Sequence, residues 1–116
     1  MKDVPSVAEI HGYHAHVYFD ATTLGLAQAL CENAVKLFKV EMGRVHQKPV
    51  GPHPCWSCQL AFPSESFAAL VPWLALHREG LTVLIHPRTG DDLRDHRDYA
   101  MWMGKVEVLD LGRFSQ

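Results

Sequence analysis

The 116 residues predict an α+β fold of the split βαβ, ferredoxin-like kind: an antiparallel sheet with two helices on one face and a C-terminal appendage. Three observations carry this reading. Short runs rich in aromatic and β-branched residues recur along the chain, two longer stretches have helical apolar spacing, and their order is β-α-β-β-α-β. The length is that of a single domain, residues 1–116, with no room for a second core.

Each element has its own signal. Tyr13 to Phe19 alternates as a strand and is closed by Asp20. From Thr22 or Thr23, as N-cap, to about Lys39, Leu26, Ala29, Leu30, Val35, Leu37 and Phe38 follow a helical period. Met42 to Lys48 reads as a second strand, and Pro49 to Pro54 is too rich in proline and glycine for either regular element. Trp56 to Phe62 is the third strand. A second helix opens with Ser64 as N-cap and runs to about Arg78, with Pro72 marking a kink or a late start. Leu81 to His86 is the fourth strand and Pro87 to Gly90 a turn. Asp92 to Trp102 reads as a short helix and Lys105 to Leu109 as a fifth, edge strand.

Composition narrows the function. Hydrophobic residues make up 47% and charged residues 21%, enough apolar material for an ordinary core. The formal net charge is −2 with both signs interspersed, so no nucleic-acid or anionic-membrane partner is expected. The first ten residues carry Lys2, Asp3 and Glu9 without an apolar run, and no stretch is long enough to span a bilayer. A cytoplasmic location follows as an expectation. Three cysteines without an export signal argue against a disulfide framework. Cys55-Trp-Ser-Cys58 is formally a CxxC, but a strand follows it where a thioredoxin-like motif would open a helix. Both cysteines are read as strand-entry and core residues. No phosphate-binding glycine loop and no nucleophile elbow is present.

Eight histidines set this chain apart. His14 and His16 lie two apart in the first strand, so both leave one face together with Tyr18. In the split βαβ order the fourth strand lies antiparallel beside the first, bringing His86 to His14. Three imidazoles at cross-strand separations of about 4.5–8 Å can converge on one ion. His14, His16 and His86 are therefore the candidate ligands, on the sheet face without helices. His53, between two prolines, must either fold across that face or come from a second subunit. His96 follows the fourth strand and can overhang the same face. His46, on one face of the second strand with Arg44 and Lys48, is a third histidine that could complete the site, although its simpler reading, like that of His11 and His77, is a half-buried polar residue. The run Arg88 to Asp98 reads as a solvated turn and helix face.

Four stretches together resemble the DOPA 4,5-dioxygenase family: Tyr13-His-Ala-His-Val-Tyr18, Gly51-Pro-His-Pro54, Val83-Leu-Ile-His-Pro87 with Thr89-Gly90, and Asp95-His96 followed by Trp102-Met-Gly104. The resemblance implies a ferredoxin-like fold, extradiol cleavage of a DOPA-like catechol with O₂, and a non-haem Fe(II) site built from histidines. His14, His16, His53, His86 and His96 fall on the motif positions. We assign His14, His16 and His86 as ligands, with His53 and His96 as acid–base or neighbouring groups. The commonest site for this chemistry has two His and one carboxylate, which Asp20, Asp95 or Asp98 would have to supply. An all-histidine site is the alternative and also accepts zinc. Arg44 or Arg88 could meet a substrate carboxylate.

Two other readings stand beside this one. A dimeric ferredoxin-like module could bind a metal or small molecule without turnover, and Cys55 with Cys58 could serve thiol redox. A homodimer is expected in either case, because no helix in the sequence covers the second face of the sheet.

Overall fold

The structure, a computed structural model, describes residues 3–114. Five strands form one antiparallel sheet in the order β2-β3-β1-β4-β5. They are β1 (Tyr13–Phe19), β2 (Glu41–His46), β3 (Trp56–Phe62), β4 (Val83–Pro87) and β5 (Met101–Met103). Helices α1 (Leu24–Leu37) and α2 (Phe67–His77) are the two crossovers of the split βαβ unit, and α3 (Asp92–Arg97) leads into β5.

Alternation along the strands decides which side chains meet the helices. Ala15, Val17 and Phe19 of β1, Cys58, Leu60 and Phe62 of β3, and Val83 and Ile85 of β4 all face one way. They bury against Ala27, Leu30, Cys31 and Ala34 of α1 and Leu70 and Leu74 of α2. Tyr13 joins the same layer, packed on Phe62 and Phe67 with ring centroids 5.6 and 4.6 Å away. Asp20 starts α1 by accepting bonds from the N–H and hydroxyl of both Thr22 and Thr23. Pro72 sits inside α2 without ending it; the helix is preceded by a 3₁₀ turn at Ser64–Ser66. Its missing N–H would have served the carbonyl of Ala68, and both residues are exposed, so water can take that carbonyl.

Two expectations near the C-terminus are corrected. α3 stops at Arg97 rather than Trp102, and the edge strand is Met101–Met103, not Lys105–Leu109. Trp102 pairs with Leu84 and Met101 with Ile85, so the fifth strand is built from residues assigned to a helix. The second strand is also displaced, to Glu41–His46. It contains a bulge between Met42 and Val45, where three steps on β2 match two on β3. The three cysteines are free thiols. Cys58 belongs to the helical side, whereas Cys55 lies near Tyr18 on the other, so the CxxC pair is split by the sheet.

The second face is covered as well. The loop 47–55 and the segment after β5 cross it, tied together by the Asp110 N–H donating to the Pro52 carbonyl at 2.9 Å. The bare surface from which a homodimer was expected is thus largely occupied by the chain itself. Among the described residues, no helix is long and apolar enough to cross a membrane.

Candidate metal centre and active site

On the covered face, β1 and β4 run antiparallel with His14 directly opposite His86 and His16 opposite Leu84. His16 and His86 are therefore diagonal neighbours, and their Nε2 atoms lie 3.0 Å apart. The ligand nitrogens of His14, His16 and His86 all fall within 4.8 Å of one another. The His86 Nδ1–H donates to its neighbouring Pro87 carbonyl at 2.9 Å, which leaves the Nε2 lone pair aimed at His16. That is the usual way a protein fixes the tautomer of a metal-binding imidazole.

Burial keeps this cluster neutral. It lowers His14 to about 4, with the Arg88 guanidinium adding to the effect, and it lowers His86 to about 3, with His96 adding. His16 is held well below its ordinary value, by burial first and then by His53. Neutral imidazoles offer lone pairs to a cation, as metal binding requires. Bonds of about 2.1 Å at right angles would place two ligand nitrogens about 3.0 Å apart, the separation of the two Nε2 atoms. The donor set fits a divalent transition metal.

The other two motif histidines stand against the cluster from opposite sides. Gly51, at φ 54, takes the left-handed conformation that glycine tolerates, and the His53 N–H donates to the Val50 carbonyl. This turn folds the proline-rich loop across the face of its own chain. The His53 ring centroid comes within 4.1 Å of that of His16, and its Nδ1 lies 2.6 Å from the Tyr18 hydroxyl. No second subunit is needed to bring it there. Burial lowers His53 to about 4, with His96 next among the causes. His96, on α3, has its ring centroid 4.0 Å from that of His86 and stacks on Phe114 at 4.5 Å. Its Nδ1–H donates to the Asp92 carbonyl at 2.8 Å.

None of the proposed carboxylates completes the ligand set. Asp20 is exposed and occupied with the start of α1. Asp98 is exposed and paired with Arg97 and Arg94. Asp95 is buried beside the cavity, but its oxygens accept from the Thr89 N–H at 2.9 Å and the Thr89 hydroxyl at 2.6 Å. Among the described residues the candidate centre is all-histidine.

These groups line a cavity of about 470 Å³. His46, the least expected of the histidines that could complete the site, and His11, read from the sequence as a bystander, are in its wall, as are Ser57, Gln59 and Phe114. The β2 bulge explains His46: it returns Val45 to the core side opposite Cys58 and turns His46 to the cavity opposite Ser57. Arg88 also lines the cavity, two residues beyond His86, whereas Arg44 does not. His77 lies elsewhere, stacked on Trp73 at 4.7 Å.

Residues 13–113 match the model of the Dopa 4,5-dioxygenase family. A DOPA 4,5-dioxygenase of Amanita muscaria is 35% identical over 113 residues, covering 90% of this chain and 50% of that protein. An uncharacterised 21.2 kDa protein of Botryotinia fuckeliana is 33% identical, covering 89% of this chain and 60% of the relative. This chain thus spans half to three-fifths of the length of the curated relatives it matches. The crystal structure of a candidate dioxygenase from Nostoc punctiforme superposes with a TM-score of 0.92 at 44% identity, covering 95% of this chain and 96% of the other.

Proposed function

Since this chain belongs to the Dopa 4,5-dioxygenase family, we propose that it is a metal-dependent extradiol dioxygenase that opens the ring of a DOPA-like catechol with O₂. The observation that carries the reading is the meeting of three neutral imidazoles, within 4.8 Å of one another, at the floor of a cavity large enough for one aromatic ring.

His14, His16 and His86 would hold the ion. Bound there, ferrous iron would supply the open coordination positions and the redox chemistry that let a catechol and O₂ react together. Zinc would fit the same nitrogens but lacks redox chemistry. Both oxygen atoms of O₂ enter the ring-opened product, so no external reductant is required.

The remaining residues manage protons and placement. With its proton on Nδ1, donated to the Tyr18 oxygen, His53 presents a free Nε2 that can take the proton of a catechol hydroxyl. A neutral imidazole at about 4 is by itself a weak base; an anionic substrate beside it would raise its affinity for the proton. His96, held by the Asp92 carbonyl on the opposite wall, would return a proton to the product. Val50, Pro52 and Phe114 give the cavity its apolar surface, and Arg88 faces an acidic substituent on the ring.

The test is anaerobic loading with Fe(II), addition of DOPA and then air, with absorbance and O₂ uptake recorded together. One O₂ consumed per DOPA and a new visible band are expected, with both lost in His16→Ala and His86→Ala. Iron and catechol binding without O₂ uptake would instead support a binding module. Failure to bind iron would refute the metal centre.

A further inference from the structure

The chain after β5 runs Lys105-Val106-Glu107-Val108-Leu109, an alternation typical of a strand, yet it joins no strand of its own sheet. It is nonetheless pinned at both ends: the Lys105 N–H donates to the Thr82 hydroxyl at 3.3 Å, and the Asp110 N–H to the Pro52 carbonyl. Between these anchors, the main-chain groups of Val106 and Val108 make no hydrogen bond to any described residue. Their side chains are 66% and 88% exposed, the latter the most exposed large apolar residue of the fold. Glu107 turns inward beside Tyr18 and Cys55, and its carboxylate lies 3.8 Å from the Lys105 ammonium. An ordered, unpaired strand with valines facing solvent is a ready template for another strand.

We infer that residues 105–109 form a dimerisation strand that pairs antiparallel with the same segment of a second copy of this chain. Charge selects both the occupant and the register. Pairing centred on Val106 sets Lys105 of each copy opposite Glu107 of the other, two favourable cross-strand pairs, and places the two Val106 side chains together on the opposite face. Pairing centred on Glu107 would oppose two carboxylates and is disfavoured. The segment already complements itself, so a second copy suits it better than an unrelated strand. Its ends are held within the chain, so little backbone entropy remains to be lost on pairing.

A strand of five residues covers far less than the roughly 1,200 Å² of a stable interface, so the association is a weak one. Pairing would also clamp the segment that holds the His53 loop through Pro52. The inference does not depend on the chemistry proposed for the cavity.

Sedimentation velocity of the full chain, from low to high micromolar concentration, tests it. The weight-average mass should climb toward twice that of one chain, and Val106→Lys should remain a monomer throughout. Lys105→Glu should weaken association several-fold, and adding Glu107→Lys to it should restore association. The far-ultraviolet dichroism of each variant should match the parent, since the altered side chains lie outside the core. A monomer at every concentration would overturn the proposal, as would a dimer whose affinity is unchanged by Val106→Lys or Lys105→Glu.

Discussion

The Tyr18 hydroxyl lies 2.6 Å from His53 Nδ1, and burial raises the phenol well above its usual value, so it stays protonated at any working pH. It can accept from a protonated Nδ1 or donate to a bare one, and therefore serves His53 before and after a proton moves. Tyr18→Phe keeps the ring that meets Trp102 edge-on and removes only the oxygen. Loss of such an orienting partner costs about 10–100-fold in activity or metal affinity elsewhere. We expect a loss of that size in kcat, with iron binding and KM nearly unchanged because Tyr18 touches none of the three ligands by hydrogen bond. A variant with parental kcat would remove Tyr18 from the machinery. The His-x-His spacing made one half of the site legible, since strand alternation alone puts His14, His16 and Tyr18 on one face. The Tyr18–His53 contact was not legible, because it depends on how a loop folds.

At the scale of elements, the pieces that read correctly are those with both a pattern and a packing surface. β1, β3, β4, α1 and α2 all bury an apolar face, and the alternation or helical period that predicts them is the one that packs them. β5 failed because Met101–Met103 is too short to show a period, while Lys105–Leu109 has the pattern without a neighbour to pair with. His46 was hidden by the bulge, which changes side-chain direction without leaving a proline or a turn signature. The turn between β4 and α3 shows the converse, a charged run read as solvated whose centre is a buried carboxylate. Asp95 accepts from the Thr89 N–H and hydroxyl and so fixes the helix that carries His96. Hydrogen bonds to a charged group contribute about 1.5–3 kcal/mol each. Asp95→Ala should therefore lower the unfolding free energy by about 3 kcal/mol or more, read from urea titration. Thr89→Val, which keeps the N–H donor, should cost less. Equal stability in Asp95→Ala would mean that the turn holds itself without the carboxylate.

For the molecule as a whole, the site makes folding depend on pH. His14 and His53 sit at about 4 and His86 at about 3 in the folded protein, with His16 also depressed, against an ordinary value of 6.5. Their folded values are lowered, so below about 6.5 the unfolded chain binds protons that the folded chain does not. Stability is complete above that pH and falls as the pH drops toward the folded values. Each histidine fully in this regime removes about 1.4 kcal/mol per pH unit. Asp20 and Asp98, the carboxylates pulled below 3.8 by their hydrogen bonds, lose their contribution only at lower pH. The four lowered histidines thus act between about 4 and 6.5. In the metal-free protein, kept so with a chelator, Tm should be level from pH 8 to 7 and fall steeply between pH 6 and 4.5. His16→Gln should flatten that slope. A bound divalent ion competes for the same lone pairs, so it should raise Tm at pH 7 and lose its effect as the solution is acidified. A Tm that holds level down to pH 4.5 would show that the four imidazoles accept protons without opening the fold, and would remove the electrostatic case for a buried, neutral metal-binding cluster.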